Sequence, residues 1–131
     1  ERKVVKHDRL EKIIISAMKQ SLKAYLPKLN EQCSFAEFMK HERDGMKFIG
    51  HCYEGQKQYL SKRYQPGQSV TILIGPEGDF SQEEVDIAIK NGFEPISLGE
   101  SRLRTETAGV VACHTVNVIN EMTEQLFHFK Q

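Results

Sequence analysis

Val70-Thr71-Ile72-Leu73-Ile74 is an unbroken β-prone apolar run that enters the turn Gly75-Pro76-Glu77-Gly78-Asp79-Phe80. A strand with no polar face must be covered on both sides, which is the environment of a parallel sheet. A second apolar strand, Phe93 to Leu98, runs into Gly99-Glu100-Ser101-Arg102 and then Leu103-Arg104-Thr105-Glu106-Thr107-Ala108. Each turn leads into a helix. Two neighbouring strands ending this way build a crevice at the carboxyl edge of a sheet, where open α/β proteins take ligands. Gly75 and Gly78 permit backbone conformations closed to residues with a Cβ and let a ligand approach the main chain. Pro76 stiffens the turn.

The segments around these turns support an α/β class. Ser81-Gln82-Glu83-Glu84 is a capping box, so a helix begins at Gln82. Its inner stripe is Val85, Ala88 and Ile89, and Asn91-Gly92 closes it with a left-handed cap. Strand, helix and strand then form a right-handed crossover. The last helix is expected from Thr105 to Phe127. Its first half is apolar nearly all round, from Ala108 to Ile119, so it is buried on more than one side or meets a partner.

Upstream, Asp8 caps a helix expected to reach Tyr25, with Leu10, Ile13, Ile14, Ala17, Met18, Ser21, Leu22 and Tyr25 on one face and Pro27 beyond its end. Lys28-Leu29-Asn30 is read as a short strand. Ser34 caps a helix from Phe35 to Lys40, and Met46 to Tyr53 reads as a strand. Gly55 to Gly67 is read as polar loop, with Tyr59-Leu60 packing locally. Lys57, Lys62 and Arg63 belong to its solvated surface, with RNA contact as the alternative.

Composition removes several function classes. No apolar run approaches the roughly 20 residues of a membrane-spanning helix. Residues Glu1 to Asp8 lack the apolar core of a secretory leader, so a cytoplasmic location is expected. Net charge is zero, which argues against strong non-specific binding to nucleic acid by these residues alone. Cys33, Cys52 and Cys113 are far apart and odd in number, and the five histidines are scattered. Reduced thiols and no metal site are expected. No P-loop, Gly-x-Gly-x-x-Gly, His-Glu-x-x-His or nucleophile-elbow motif occurs.

Taken together, Ile74-Gly75-Pro76-Glu77-Gly78, Leu98-Gly99 and Leu103-Arg104-Thr105-Glu106-Thr107-Ala108 resemble the SPOUT class of RNA methyltransferases. Within it they are most similar to the RsmE-type enzymes. The resemblance is sharp over residues 70–120 and looser from 8 to 53. It implies a mostly parallel sheet with helices on both faces, a C-terminal trefoil knot, S-adenosylmethionine as cofactor, and a homodimer that methylates N3 of a uridine in small-subunit (16S) ribosomal RNA. It also implies that residues 1–131 form the methyltransferase domain of a longer protein. Its first strand and helix, and an N-terminal PUA-like RNA-binding domain, are then expected upstream.

The resemblance assigns roles to named residues. Cofactor binding falls to Leu73, Ile74, Gly75, Pro76, Glu77, Gly78, Leu98, Gly99, Leu103, Arg104, Thr105, Thr107 and Ala108. Leu73, Ile74, Leu98 and Leu103 are apolar enough for an adenine slot, and the turns supply main-chain donors and acceptors. Arg104 is a candidate catalytic residue that stabilises charge on the base or holds a phosphate. Glu106 is another, as a base or as a counter-charge to a sulfonium; both Glu106 and Thr105 also read as ordinary first-turn helix residues. Gln20 and Lys23 are RNA-binding candidates, with Lys23 standing where the family usually has arginine. Asp79 and Ser81 read as structural. Other readings remain: a SPOUT enzyme with another rRNA or tRNA target, a dimerising adenosine-binding module without catalysis, or a phosphate site before Ser81.

Overall fold

A computed structural model describes residues 6–20 and 26–130, with side chains described through residue 124. The chain divides into two compact units, residues 1–40 and 41–131. In the first, α1 spans His7–Gln20 and α2 spans Phe35–Lys40, and neither helix buries a residue. Ser34 caps α2, its Oγ accepting from the Glu37 N–H at 3.2 Å. Lys28-Leu29-Asn30 does not form the expected strand; instead the Leu29 carbonyl accepts from His7 Nε2 at 3.0 Å. The expected extension of α1 over Ser21 to Tyr25 lies outside the described residues.

The second unit is built on β1 (Met46–Gly50), β2 (Gln58–Tyr59), β3 (Val70–Ile74) and β4 (Glu94–Ser97), which pair in the order β2-β4-β1-β3, all parallel. Three further helices are α3 (Leu60–Arg63), α4 (Gln82–Lys90) and α5 (Thr105–Lys130). Residues 55–67 are therefore not simply loop. Gln58-Tyr59 adds an edge strand and Leu60 is 1% exposed. A two-residue strand and a one-turn helix are too short to carry a periodicity, so their polar composition hid them.

Neighbouring residues of β1 point to opposite faces, and both Phe48 and Ile49 are buried. Phe48 and Ile96 pack with Leu60 and Tyr64 of α3 and its end and with Ala112 of α5, backed by Val116 and Ile119. On the Ile49 face, Lys47 reaches the Asn91 carbonyl at the end of α4 (2.6 Å) and lies over the Phe93 ring. Val85, Ala88 and Phe93 are also buried. Helices thus cover both faces, as a sheet of apolar strands requires. The capping box of α4 is complete: Ser81 Oγ accepts from the Glu84 N–H, and the Glu84 carboxylate accepts from the Ser81 N–H. Gly92, at φ +89°, ends the helix where a left-handed residue is needed.

One expectation about the sheet fails. The strands that end in the two glycine turns are not neighbours: α4 carries the chain across β1, so β3 pairs on one side of β1 and β4 on the other. The crossover makes the carboxyl end of β1 the switch point of the sheet, where a crevice opens between diverging loops.

Candidate functional site

Three strands end level at that point. Gly50 pairs with Ile74 in β3 and with Ile96 in β4. All three residues line an open cleft of about 890 Å³, a size suited to a small-molecule ligand. One wall is the turn after β3, with Gly75, Pro76 and Glu77. The facing wall is the segment after β4, with Leu98, Gly99, Leu103, Arg104 and the first turn of α5. The floor and third wall come from the end of β1 and the segment beyond it, with Gly50, His51, Cys52 and Lys57.

Hydrogen bonds lock these walls together. The Thr105 hydroxyl donates to the Gly75 carbonyl at 2.7 Å, tying the start of α5 to the β3 turn. Thr105 therefore does more than begin a helix; the first intrahelical bond is accepted by the Arg104 carbonyl from the Ala108 N–H. Asp79 serves the opposite side. One carboxylate oxygen accepts from the Cys52 N–H and the other from the Phe80 N–H, both at 2.7 Å. Tyr53 donates its hydroxyl to the Phe80 carbonyl, also at 2.7 Å.

The glycine expectation needs correction in detail. The left-handed residue of the first turn is Asp79, at φ +68°, a conformation that Asp tolerates better than most residues. Gly75 is favoured for a different reason, because a Cβ there would crowd the backbone nitrogen and ring of Phe80 at 3.1 Å. Gly78 faces open space.

Of the residues read from sequence as cofactor-binding or catalytic, Ile74, Gly75, Pro76, Glu77, Leu98, Gly99, Leu103, Arg104, Thr105, Glu106 and Ala108 line the cleft, and Leu73, Gly78 and Thr107 do not. Leu73 alternates to the sheet face opposite Ile74. Thr107 sits exposed one position around the helix from Glu106. Gln20 ends α1, exposed, in the first unit, and Lys23 lies outside the described residues. Sequence reasoning missed Gly50, His51, Cys52, Lys57 and Asp79. Gly50 was a usable signal: a glycine closing an apolar strand suits a switch point.

His51 is the perturbed group of the cleft. Burial holds its pKa below the ordinary imidazole value, the nearby Lys57 ammonium lowers it further, and the Asp79 carboxylate opposes them. Its Nδ1 is buried without a hydrogen-bond partner.

Comparison with known proteins agrees with this geometry. The RNA methyltransferase domain family matches residues 1–117. A ribosomal RNA small subunit methyltransferase E from Synechocystis is 30% identical over 121 residues, 88% of this chain but 40% of that protein. A "probable rRNA-methyltransferase" from Porphyromonas gingivalis superposes with a TM-score of 0.85 at 46% identity, over 94% of this chain and 53% of that one. A ribosomal RNA small subunit methyltransferase E from Neisseria gonorrhoeae, bound to S-adenosyl methionine, gives 0.71 at 27% identity, over 95% and 52%. The chain thus spans about half the length, or somewhat less, of the relatives it matches. With a matched region that runs through both strand-end turns and into α5, this chain belongs to the RNA methyltransferase domain family.

Proposed function

We propose that this chain is an S-adenosylmethionine-dependent methyltransferase domain acting on small-subunit ribosomal RNA, with N3 of a uridine as the methyl acceptor. The observation that carries the reading is the cleft where β1, β3 and β4 end level, walled by the two glycine turns and closed by the Thr105–Gly75 hydrogen bond. The relatives supply its name: methyltransferase E proteins of the small ribosomal subunit, one of them bound to S-adenosyl methionine.

The residues present fit such a cofactor. Ile74, Ile96, Leu98 and Leu103 give an apolar slot for a purine, and the main chain of the two turns can pair with its polar edge. S-adenosylmethionine supplies an electrophilic methyl group on a sulfonium that leaves as a neutral thioether. The chain must hold the acceptor in line with that methyl, roughly 3–3.5 Å away, and the uridine N3 must give up its proton. Arg104, which lines the cleft and is exposed, is assigned here to stabilise the negative charge that develops on the uracil ring. Glu106, in the first turn of α5 and lining the cleft, is assigned here to take the N3 proton or to balance the sulfonium.

We propose also that the domain works as a homodimer, through the apolar residues left uncovered on the helices of each unit. Ile13 on α1 is 55% exposed, and on α5 Val110 and Met122 are 69% and 60% exposed. Gln20 and Lys23 are proposed to contact RNA.

Calorimetry tests the cofactor assignment: S-adenosylhomocysteine should bind, and ATP and NAD should not. A methyl-transfer assay on small ribosomal subunits, with nucleoside analysis of the product, tests the reaction. Binding without transfer would leave an adenosine-binding module; transfer to another base would replace the uridine assignment.

A further inference from the structure

The β1 end of the cleft holds two polar groups that the methyl-transfer reading leaves without a task. His51 and Lys57 both line the cleft. Lys57 Nζ donates to the carbonyls of His51 at 2.8 Å and Tyr53 at 2.7 Å. An ammonium has three N–H donors, so one remains. The segment it holds is also fixed from the other side by the Cys52–Asp79 and Tyr53–Phe80 bonds. The His51 ring therefore starts from a backbone pinned at both ends.

The tautomer of that ring is set by its surroundings. Nδ1 is buried and unpartnered. A buried N–H without an acceptor costs more than a buried lone pair, which requires only the loss of a water contact. The proton of the neutral ring belongs on Nε2, the ring nitrogen that is not among the buried, unpartnered atoms. Burial and the Lys57 charge together keep the ring neutral. His51 thus offers one fixed N–H donor beside one free ammonium N–H.

We propose that His51 Nε2–H and the Lys57 ammonium form a carboxylate-binding subsite that takes the amino-acid end of the cofactor. Two donors on one wall of the cleft, one of them charged, suit the two oxygens of a carboxylate. The apolar slot of Ile74, Leu98 and Leu103 lies on the facing walls, so the nucleoside and the amino-acid end would occupy different walls of one cleft. The inference rests on the proposal that this cleft binds S-adenosylmethionine.

Calorimetry with two probes tests it: S-adenosylhomocysteine, which carries the carboxylate, and 5′-methylthioadenosine, the same nucleoside without it. In Lys57→Met and His51→Phe, S-adenosylhomocysteine should weaken about tenfold or more, as expected for loss of a charge-assisted hydrogen bond, while methylthioadenosine holds its affinity. Lys62→Met, a lysine outside the cleft, should change neither. Equal losses for both probes, or none for either, overturn the subsite. A loss confined to binding of a short oligouridylate also overturns it and assigns the donors to RNA phosphate. If the unsubstituted protein binds neither nucleoside, the cofactor reading fails. The subsite is then judged by nitrogen-15 NMR: acetate should shift His51 Nε2 in the unsubstituted protein and not in Lys57→Met, and the absence of that shift overturns it.

Discussion

The sheet of the second unit and helix α1 of the first use similar side chains to opposite ends. In residues 41–131, β1 puts Phe48 and Ile49 at 1% and 0% exposure on opposite faces of one sheet, and helices close both sides. In residues 1–40, α1 has a clear apolar stripe that is covered only in part: Leu10, Ile14 and Met18 are half-buried, and Ile13 stands 55% exposed. Amphipathic periodicity therefore says that a face will be apolar, not what will cover it. The cleft lies wholly within the second unit, because only a sheet with a switch point brings three chain segments to one edge.

The largest expected effect breaks or keeps that contrast directly. Phe48→Ala should destabilise by about 3–5 kcal/mol, the usual cost of emptying an aromatic core position. Ile13→Ala should stay within about 0.5 kcal/mol when the protein is dilute. Urea denaturation at two protein concentrations checks both. A cost for Ile13→Ala that grows with concentration would show the stripe covered by a second copy, since stability of an associating protein follows mass action. Equal costs at every concentration would erase the distinction between the units.

The same contrast explains what was legible in the sequence. The α4 capping box, the Asn91-Gly92 stop, the apolar runs of β3 and β4 and the long α5 each carry a local signal, and each appears within a few residues of its expected bounds. The two glycine turns were legible as cleft walls for the same reason. The β1 wall was not, because neighbouring strands were expected to be β3 and β4. Strand order depends on where α4 crosses the sheet, which no local pattern encodes. Without that order, His51, Cys52 and Lys57 look like the polar end of a strand and the start of a loop. Asp79 was read correctly as structural, yet its task of joining the β1 and β3 ends needs the same strand order.

A functional version of the contrast comes next in size. Arg104→Ala should lower kcat for methyl transfer by about a hundredfold, as loss of one preorganised donor at a developing charge commonly does. Its stability should hardly change, because Arg104 is exposed. Gln20→Ala, at the exposed end of α1, should raise KM for the RNA a few-fold and leave kcat nearly alone. Steady-state kinetics on small ribosomal subunits separates the two. A loss of kcat from Gln20→Ala would bring the first unit into the chemistry and overturn the division.

A smaller effect is expected where the cleft walls are tied. Thr105→Val keeps the shape of the side chain and removes the donor to the Gly75 carbonyl. The carbonyl stays partly buried, so the change should cost roughly 1–2 kcal/mol. The turn should also be less well held, and S-adenosylhomocysteine should bind several-fold more weakly. Thr107→Val, exposed and outside the cleft, should do neither. Equal behaviour of the two variants would mean that the inter-turn bond does not hold the site together.

The smallest effect uses one histidine from each unit. His51 has its pKa lowered, by burial first and by Lys57 second. His7 has its pKa raised, chiefly by its hydrogen bond to the Leu29 carbonyl and then by Glu31, Glu11 and Asp8. The ordinary value for both is 6.5. A lowered folded pKa means that the unfolded chain binds more protons just below 6.5, so the His51 contribution is complete above that pH and is lost as pH falls through the folded value. For His7 the order reverses: its contribution is complete below 6.5 and is lost as pH rises through its folded value. Acidification from pH 8 should therefore weaken the second unit while slightly strengthening contacts in the first. Proton NMR of the imidazoles should give His51 a titration midpoint below that of His7. In His51→Phe, the loss of stability between pH 7 and 5 should be shallower than in the unsubstituted protein. Because Glu11 and Glu31, which help to raise His7, are exposed, added salt should narrow the gap from its side while leaving the desolvated His51 nearly unmoved. Coincident midpoints at low salt would show that the two rings share one environment, and the contrast between a cleft wall beside a lysine and a helix end beside carboxylates would fail at its most sensitive point.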